Sequence, residues 1–293
     1  MNILLLGSSG NIGCELRVSL RNMGNLHMPS RAESDFTDEK ILRNLIREIK
    51  PDWIINAAAY TNVEKAESER DLATQVNAKA VQVLGEEAAR QNCWLVHYST
   101  DYVFDGNKAG LYLEDDSIGP LCHYAETKAQ GDQLLRDTGC KHLILRTSWV
   151  YSIHRENFPM TILKLSETRD KLTVVSDQTG APTGAVLIAD ATAHCLKKIE
   201  SNPKQIYSGT YHLAASGATT WFDYAKMLLS ETEKRGRSIK TREVLPTSTE
   251  AYGAKALRPK NSRLDTTKFQ TTFEYILPNW QAGVLEFADS ISR

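Results

Sequence analysis

The segment Asn2-Ile-Leu-Leu-Leu-Gly-Ser-Ser-Gly-Asn-Ile-Gly13 is a short apolar run followed by three glycines with the spacing GxxGxxG. A continuous apolar run predicts a strand buried on both faces, as in a parallel sheet. A tight strand-to-helix turn requires glycine, and glycine also allows a pyrophosphate to approach the N–H groups at a helix N-terminus. The segment therefore predicts a dinucleotide-binding loop, with a plain glycine-rich turn as the alternative.

Predicted strands and helices alternate along residues 1–150. Apolar runs predict strands at 53–55, 94–98 and 142–145, and helical periodicity predicts helices at 12–23, 39–49, 72–91 and 125–135. This alternation predicts an α/β fold with a Rossmann-type, doubly wound parallel sheet. The rhythm loosens after Trp149, which predicts a smaller C-terminal substrate-binding lobe. We assign residues 1–150 and about 185–215 to the dinucleotide-binding domain, and about 151–184 and 216–293 to the lobe.

The composition argues against several classes of protein. The 293 residues are 41% hydrophobic and carry a formal net charge of -1, which gives no indication of a nucleic-acid partner. No apolar run reaches the length of a membrane span. The five cysteines are scattered without a CxxC pair, which argues against disulfides and structural zinc. We therefore expect a cytoplasmic protein with neither a nucleic-acid nor a membrane partner.

Tyr124 and Lys128 form a YxxxK pair. Positions i and i+4 share one helix face, and a lysine ammonium lowers the pKa of a nearby phenol. Such a tyrosine can donate a proton to a carbonyl oxygen as a hydride arrives. Thr100 follows the predicted strand at 94–98, at the edge where a doubly wound sheet binds its ligands. Its hydroxyl is thus a candidate partner of the substrate oxygen, although a threonine in this place also suits a turn cap.

The residue near the adenosine ribose distinguishes NAD from NADP. An acidic residue about 20 positions beyond the glycines would bind the ribose 2′-OH and favour NAD. The second strand is expected to end near 28–31, where Arg31 stands instead. A guanidinium suits a 2′-phosphate, so the sequence favours NADPH. Glu33 and Asp35 lie close by, which keeps NADH as an alternative, and Arg31 could equally be a solvated loop cation.

Further motifs extend along the chain. They are NAAAYTNVEKAE at 56–67, YSTDYVFDG at 98–106, YAETK at 124–128, RTSWVY at 146–151, DQTGAPTG at 177–184 and RPKNSRL at 258–264. Together with the glycine loop, they resemble the extended short-chain dehydrogenases/reductases and, within them, the dTDP-4-dehydrorhamnose reductase family. The resemblance covers nearly the whole chain. It implies a nucleotide-sugar substrate and NAD(P)H-dependent reduction of the C4 ketone of dTDP-4-dehydro-L-rhamnose to dTDP-L-rhamnose.

The resemblance also implies roles for individual residues. Thr100, Tyr124 and Lys128 would form the catalytic triad, with Tyr124 as the proton donor and Lys128 also holding the nicotinamide ribose. Residues implied to bind the cofactor, besides Arg31, are Gly7, Gly10, Asn11, Ile12, Gly13, Asp35, Phe36, Ala57, Ala58, Tyr60, Tyr124 and Lys128. Residues implied to bind the nucleotide sugar are Asp101, Tyr102, Trp149, Asn157, Arg258 and Asn261. For Trp149 the alternative is a core aromatic.

Other reactions and roles share this scaffold. Sugar-nucleotide dehydratases of this fold are expected to have the sequence Thr-Asp-Glu after the fourth strand, because loss of water needs an acid and a base beside the tyrosine. This chain has Thr100-Asp101-Tyr102, which argues against dehydration. A related nucleotide-sugar epimerase remains an alternative. So does a non-catalytic NADP-binding protein similar to the regulatory subunit of methionine adenosyltransferase, since fold does not decide function.

The chain departs from the family pattern at two places. Some members dimerise through magnesium held by glutamates; Glu15 matches one of them, but Val186 stands where another is expected. A hard cation needs several oxygen ligands, so we predict no metal site and a monomer or weak homodimer. His154-Arg155-Glu156 replaces a glycine-rich loop, which we expect to alter closure over the sugar. The histidines show no metal-ligand spacing, and we interpret His97 as structural.

Overall fold

A computed structural model describes residues 1–292. The strands are β1 (Asn2–Leu6), β2 (Asn25–His27), β3 (Trp53–Asn56), β4 (Trp94–Thr100), β5 (Lys141–Thr147), β6 (Val150–Tyr151), β7 (Lys171–Val175), β8 (Thr179–Gly180), β9 (Thr183–Gly184), β10 (Gly209–His212), β11 (Thr219–Thr220) and β12 (Glu243–Thr247). The α-helices are α1 (Asn11–Ser19), α2 (Glu39–Ile49), α3 (Val63–Ala66), α4 (Arg70–Thr74), α5 (Ala80–Gln91), α6 (His123–Asp137), α7 (Phe158–Ser166), α8 (Ala185–Ser201), α9 (Trp221–Lys234), α10 (Thr249–Tyr252), α11 (Thr267–Phe273) and α12 (Trp280–Ile291).

The main sheet has six parallel strands in the order β10-β5-β4-β3-β1-β2. From β1 the chain runs outward to β2 and then crosses back to β3, so the strand order reverses between β1 and β3. In a doubly wound sheet, the carboxyl ends of such strands border the ligand crevice. The predicted α/β fold with a Rossmann-type, doubly wound parallel sheet is therefore confirmed.

Alternation along β1 explains how both faces of the sheet are covered. Successive side chains of a strand point to opposite faces. Ile3 and Leu5 pack in one apolar cluster with residues of α1, α8 and α11, whereas Leu4 and Leu6 pack in another with residues of α2, α5 and α6. All four side chains are buried. The continuous apolar run is thus the pattern of a strand with helices on both sides.

The structure differs from the sequence prediction in several elements. Helix α1 ends at Ser19, short of the predicted residue 23. The second strand ends at His27, ahead of the predicted 28–31, and Pro29 follows, which has no N–H to donate to a ladder. The predicted helix at 72–91 is α4 and α5 joined by a π-helical turn, Gln75–Lys79. Within the predicted lobe segment 216–293, Phe269, Phe273 and Leu277 pack in the same apolar cluster as Ile3 and Leu5 of the main sheet.

A separate apolar cluster lies beyond the main sheet. It contains Trp149 and residues of β6, α7, β7, α9 and α12, among them Tyr224 and Val284. Short strand pairs support it: β7 with β12, β6 with β9, and β8 with β11. None of the helices within residues 1–292 combines the length and hydropathy that crossing a bilayer requires.

Candidate active site

The glycine loop joins β1 to the N-terminus of α1, and its glycines have different structural reasons. Gly7 has a φ of 74°, and a Cβ there would lie 2.5 Å from the Ala58 nitrogen. A Cβ on Gly13 would lie 2.1 Å from the Gly7 carbonyl oxygen. A Cβ on Gly10 would meet only the Gly7 oxygen, at 3.4 Å. Internal packing therefore requires Gly7 and Gly13, while Gly10 leaves space open in front of the helix N-terminus.

A segment after β6 lies against this loop. The Ser152 hydroxyl donates to Asn11 Oδ1 at 2.6 Å, and Arg155 Nε donates to the Ser9 carbonyl at 2.8 Å. His154 Nε2 lies 2.9 Å from a carboxylate oxygen of Glu15. The segment that departs from the family pattern thus forms a bridge from the lobe to the phosphate loop. Glu15 is engaged in that bridge.

Asn157, a predicted substrate ligand, organises the same segment. Its Nδ2 donates to the Ser152 carbonyl at 2.6 Å and to the Arg155 carbonyl at 2.9 Å. Its Oδ1 accepts from the Met160 N–H and caps α7. Because its amide is already committed within the protein, its predicted contact with a diphosphate would require these bonds to exchange.

The predicted adenosine residues are spread over the loop after β2. Arg31 is exposed. The Asp35 carboxylate accepts from the Thr37 N–H and hydroxyl, and these bonds lower the pKa of Asp35. Phe36 is buried in the apolar cluster beside β1. The aromatic ring is therefore part of the apolar core, whereas Arg31 and Asp35 lie nearer the surface.

The loop after β3 forms the opposite wall of the crevice. The Ala58 N–H donates to Asn56 Oδ1 at 3.2 Å, and the Tyr60 N–H donates to Asn77 Oδ1 at 2.8 Å. Tyr60 Oη donates to Glu69 at 2.6 Å. Burial, together with the Glu69 carboxylate, raises the pKa of Tyr60 to about 12. The predicted residues Ala57, Ala58 and Tyr60 are thus fixed in one rigid turn next to Gly7.

The predicted triad converges at the carboxyl edge of β4. Thr100 ends β4, and its hydroxyl accepts from the Tyr102 N–H at 3.2 Å and donates to Asp101 Oδ1 at 3.0 Å. Tyr124 and Lys128 share a face of α6, as their spacing predicts. Lys128 Nζ donates to the Tyr98 carbonyl at 2.7 Å and lies 3.1 Å from His97 Nε2. This brings acid, amine and hydroxyl groups to one place.

The pKa of Tyr124 differs from the expectation. Burial raises it above its ordinary value, and the neighbouring Thr100 hydroxyl opposes that rise. Burial also disfavours the ammonium of Lys128, so the pKa of Lys128 falls to about 8 despite the Asp132 carboxylate. The same desolvation thus favours the neutral forms of both groups, the amine of Lys128 and the phenol of Tyr124.

Asp101, Tyr102 and Arg258 form a polar wall beside Tyr124. Asp101 Oδ2 accepts from the Ser148 hydroxyl at 2.9 Å, and burial raises the pKa of Asp101 to about 6. The rings of Tyr102 and Tyr124 meet edge to face at 6.1 Å. Arg258 Nη2 donates to Glu64 at 3.0 Å, and Arg258 Nε is buried without a partner among the described residues. An unsatisfied guanidinium N–H is a group that an anionic ligand can satisfy.

Trp149 and Asn261 connect the lobe to this wall. Trp149 has a φ of 47°, unusual for a bulky residue, and stacks on Trp221 with ring centroids 3.5 Å apart. A Cβ on Gly180 would lie 2.5 Å from the Trp149 ring. Asn261 Nδ2 donates to the Lys108 and Gly110 carbonyls, and its Oδ1 accepts from Arg263. Asn261 therefore fastens a loop, and Trp149 is packed between aromatic and glycine surfaces.

Comparison with known proteins identifies the family. A sequence model described as the RmlD substrate binding domain matches residues 1–293. The chain belongs to this family. The dTDP-4-dehydrorhamnose reductase of Escherichia coli strain K12 is 45% identical over 289 residues, covering 97% of this chain and 96% of that protein. The family predicted from the motifs is confirmed.

Solved structures of RmlD-type proteins share the whole architecture. The dTDP-4-dehydrorhamnose reductase of Bacillus anthracis, solved in complex with NADP, superposes with a TM-score of 0.89 at 31% identity, covering 98% of each chain. A Clostridium acetobutylicum protein of the same description gives a TM-score of 0.90 at 30% identity over 100% of both chains.

Two residues of this RmlD-type site were missed from the sequence. Asn77 Nδ2 donates to the Tyr60 carbonyl and to Thr127 Oγ1, so it joins the crevice wall to α6. A buried amide in an amphipathic helix was the available signal. His97, interpreted as structural, is fully buried and contacts Lys128 Nζ. A histidine within an apolar strand, with Val96 before it and Ser99 after it, was the available signal that His97 has a polar partner.

Proposed function

We propose that the protein reduces the C4 ketone of dTDP-4-dehydro-L-rhamnose to dTDP-L-rhamnose, with NADPH as the preferred cofactor and NADH as an alternative. The observation that carries the proposal is the convergence of Thr100, Tyr124 and Lys128 at the carboxyl edge of β4, in the same parallel sheet whose β1 leads into the glycine loop. It occurs in a chain 45% identical to a dTDP-4-dehydrorhamnose reductase across 97% of its length.

The glycine loop fits a dinucleotide. The space at Gly10 is open, since a Cβ there would meet only the Gly7 carbonyl oxygen, at 3.4 Å, and the α1 N-terminus has no side-chain cap. Its free N–H groups and partial positive charge suit a pyrophosphate. Gly7, Gly10, Asn11, Ile12 and Gly13 would hold that group, with Ala57, Ala58 and Tyr60 toward the nicotinamide and Arg31, Asp35 and Phe36 toward the adenosine.

Acid–base chemistry falls to Tyr124. A bound nicotinamide supplies the hydride that the ketone carbon accepts. Tyr124 Oη donates a proton to the ketone oxygen, and its high pKa keeps it protonated until negative charge develops there. The Thr100 hydroxyl lies beside Tyr124 and opposes the rise in the pKa of Tyr124. Lys128, with a pKa of about 8, would stabilise the resulting phenolate and hold the nicotinamide ribose.

The nucleotide sugar would lie between the sheet edge and the lobe. Arg258 would bind the diphosphate, because its unpaired Nε is a charge-assisted donor. Asp101, Tyr102 and Trp149 would border the sugar, and Asn157 and Asn261 would hold the loops around the nucleotide. Dehydration is disfavoured, since Asp101 is buried on Ser148 and Thr100 and the next residue is Tyr102, not a carboxylate.

A non-catalytic regulatory role is the second candidate, and one assay separates the two. Purified protein is mixed with NADPH and dTDP-4-dehydro-L-rhamnose, and absorbance at the reduced-nicotinamide band is followed, with NADH and a UDP-4-ketosugar as comparisons. Catalytic loss of absorbance that is greatest with NADPH and the dTDP sugar supports the proposal. NADPH binding without turnover would refute the reductase and favour the regulatory role.

Three further features are proposed on the same basis. The protein acts as a monomer or weak homodimer, because Val186 offers no oxygen to a bridging cation. It requires no metal for activity, so chelation should leave turnover unchanged. Its place of action is the cytoplasm, in keeping with five cysteines that are all free.

A further inference from the structure

A buried chain of hydrogen-bonding groups runs from the wall of the crevice to Lys128. The Ala58 N–H donates to Asn56 Oδ1 at 3.2 Å. Asn56 Nδ2 lies 3.1 Å from His97 Nδ1, and His97 Nε2 lies 3.1 Å from Lys128 Nζ. Asn56 and His97 are direct neighbours across β3 and β4. Both are at most 1% exposed, so no solvent competes for these bonds.

The first bond fixes the direction of the others. Because the Ala58 N–H needs an acceptor, the Asn56 oxygen faces Ala58 and its NH₂ group faces His97. His97 Nδ1 must then accept. The ring is neutral, since burial lowers the pKa of His97 well below its ordinary value. A neutral imidazole carries one N–H, so the proton of His97 is on Nε2 and points toward Lys128 Nζ.

A second observation supports the same proton position. Asp132 Oδ1 is buried without a hydrogen-bond partner among the described residues, and it lies 3.8 Å from His97 Nε2. A lone pair on Nε2 would repel this carboxylate oxygen, whereas an N–H attracts it. The other oxygen, Oδ2, accepts from Ser99 at 2.7 Å, which holds the carboxylate in place.

We propose that His97 is a positioning residue that donates its Nε2 proton toward Lys128 Nζ, favours the neutral amine and so sets the pH at which Lys128 gains its charge. An ammonium has three donors and no lone pair, so it cannot accept from His97; a neutral amine can. Lys128 then accepts from His97 and donates to the Tyr98 carbonyl at 2.7 Å. The strand pair thus adjusts the acid–base state of a residue on α6.

Other charged groups also affect the equilibrium between the ammonium and the amine of Lys128. Asp132, one turn along α6, favours the ammonium. Arg146 of β5 lies 3.6 Å from Asp132 and partly offsets that carboxylate. His142 of β5 is a weaker neighbour of His97. His97 contacts Nζ directly at 3.1 Å, which makes it the group whose replacement isolates the effect.

The proton position can be measured in the free protein. Full-length protein labelled with ¹⁵N-histidine is examined by long-range ¹H–¹⁵N correlation, and the protonated ring nitrogen of His97 is assigned. The expected result is Nε2–H. A proton on Nδ1 overturns the proposal without any variant being made.

The titration of Lys128 is measured in the same free protein, labelled at lysine Cε and assigned with Lys128→Arg. In His97→Gln the amide can turn its oxygen toward Nζ, so the titration midpoint of Lys128 should rise by about one pH unit, as for one buried hydrogen bond. His142→Gln is the matched control and should leave the midpoint in place. An equal midpoint in His97→Gln and the parent protein overturns the proposal.

A second variant guards against misfolding of the first. Asn56→Asp keeps an acceptor for Ala58 but presents an oxygen to His97, which should move the ring proton to Nδ1 and raise the Lys128 midpoint. Retention of the proton on Nε2 in this variant would count against the mechanism. The role of Lys128 in turnover rests on the proposed function: there, the basic limb of kcat/KM should shift with the midpoint. Absence of turnover would refute the reductase and leave the two spectroscopic results standing as tests of His97.

Discussion

Replacing Tyr124 by phenylalanine removes the proposed proton donor while keeping the ring. General acid catalysis contributes about 10²- to 10⁴-fold to a rate, and the structure favours the upper part of that range. Lys128 Nζ is committed to the Tyr98 carbonyl and lies against His97, and the Thr100 hydroxyl donates to Asp101. Since no neighbouring donor is free to replace the phenol, kcat/KM should fall by about 10³- to 10⁴-fold, or about 4 to 5.5 kcal/mol of transition-state stabilisation.

The assay is NADPH oxidation with dTDP-4-dehydro-L-rhamnose, accompanied by NADPH binding measured from nicotinamide fluorescence. NADPH affinity should stay within about twofold, because only a substrate-facing hydroxyl is lost. Tyr98→Phe is the matched control: its hydroxyl bonds Thr192 on the other face of the sheet at 2.8 Å, so the variant should lose some stability and keep its turnover. A Tyr124→Phe variant within tenfold of the parent kcat/KM would refute the assignment.

Three other outcomes are expected. Gly10→Ala should fold with a nearly unchanged Tm yet bind NADPH about tenfold more weakly. Gly13→Ala should also lower the Tm, since its Cβ would lie 2.1 Å from a carbonyl oxygen. Equal NADPH affinity of Gly10→Ala and the parent in a fluorescence titration would contradict the role of Gly10. Burial raises the pKa of Asp101 to about 6, above its ordinary 3.8, so between these pH values the folded protein retains a proton that the unfolded chain loses. The free energy of unfolding should therefore fall as the pH rises from 4 to 6, by up to about 3 kcal/mol. Urea titrations of Asp101→Asn should show a flatter pH dependence, and an unchanged slope would argue against the buried carboxyl as its source. Arg258→Met should raise KM for the nucleotide sugar by about 10- to 100-fold with a smaller change in kcat. Lys255→Met, at an exposed neighbouring position, should change neither constant, and an unaltered KM of Arg258→Met in steady-state assays would remove Arg258 from the substrate site.

The sequence was sufficient for the central sheet and the glycine loop, because both depend on local patterns. The apolar run of β1 and the glycines after it predict a buried strand and a tight turn wherever they occur. The bounds Glu39–Ile49 of α2 are those of its periodicity, since Asp38 caps the helix and Pro51 closes it. Tyr124 and Lys128 share a face of α6 for the same local reason.

Several features depended on contacts between distant segments. Phe36, the residue proposed to lie toward the adenosine, packs in an apolar cluster with residues of the distant helices α2 and α5. The π-helical turn at 75–79 brings Asn77 to Tyr60 and Thr127, and the sequence carries no local signal for its register. Asn157 and Asn261 are committed to loop carbonyls by the fold of the lobe.

What the sequence determined by itself is the order of elements, the residue types at the carboxyl edge of the sheet and the resemblance that links them to one family. What the tertiary structure alone decided is which of those groups touch and which protonation state they favour. A pKa depends on desolvation and on neighbours within a few ångströms. For Tyr124, Lys128 and Asp101, those neighbours come from strands and helices that are far apart in the chain, so only their packing sets the acid–base balance of the site.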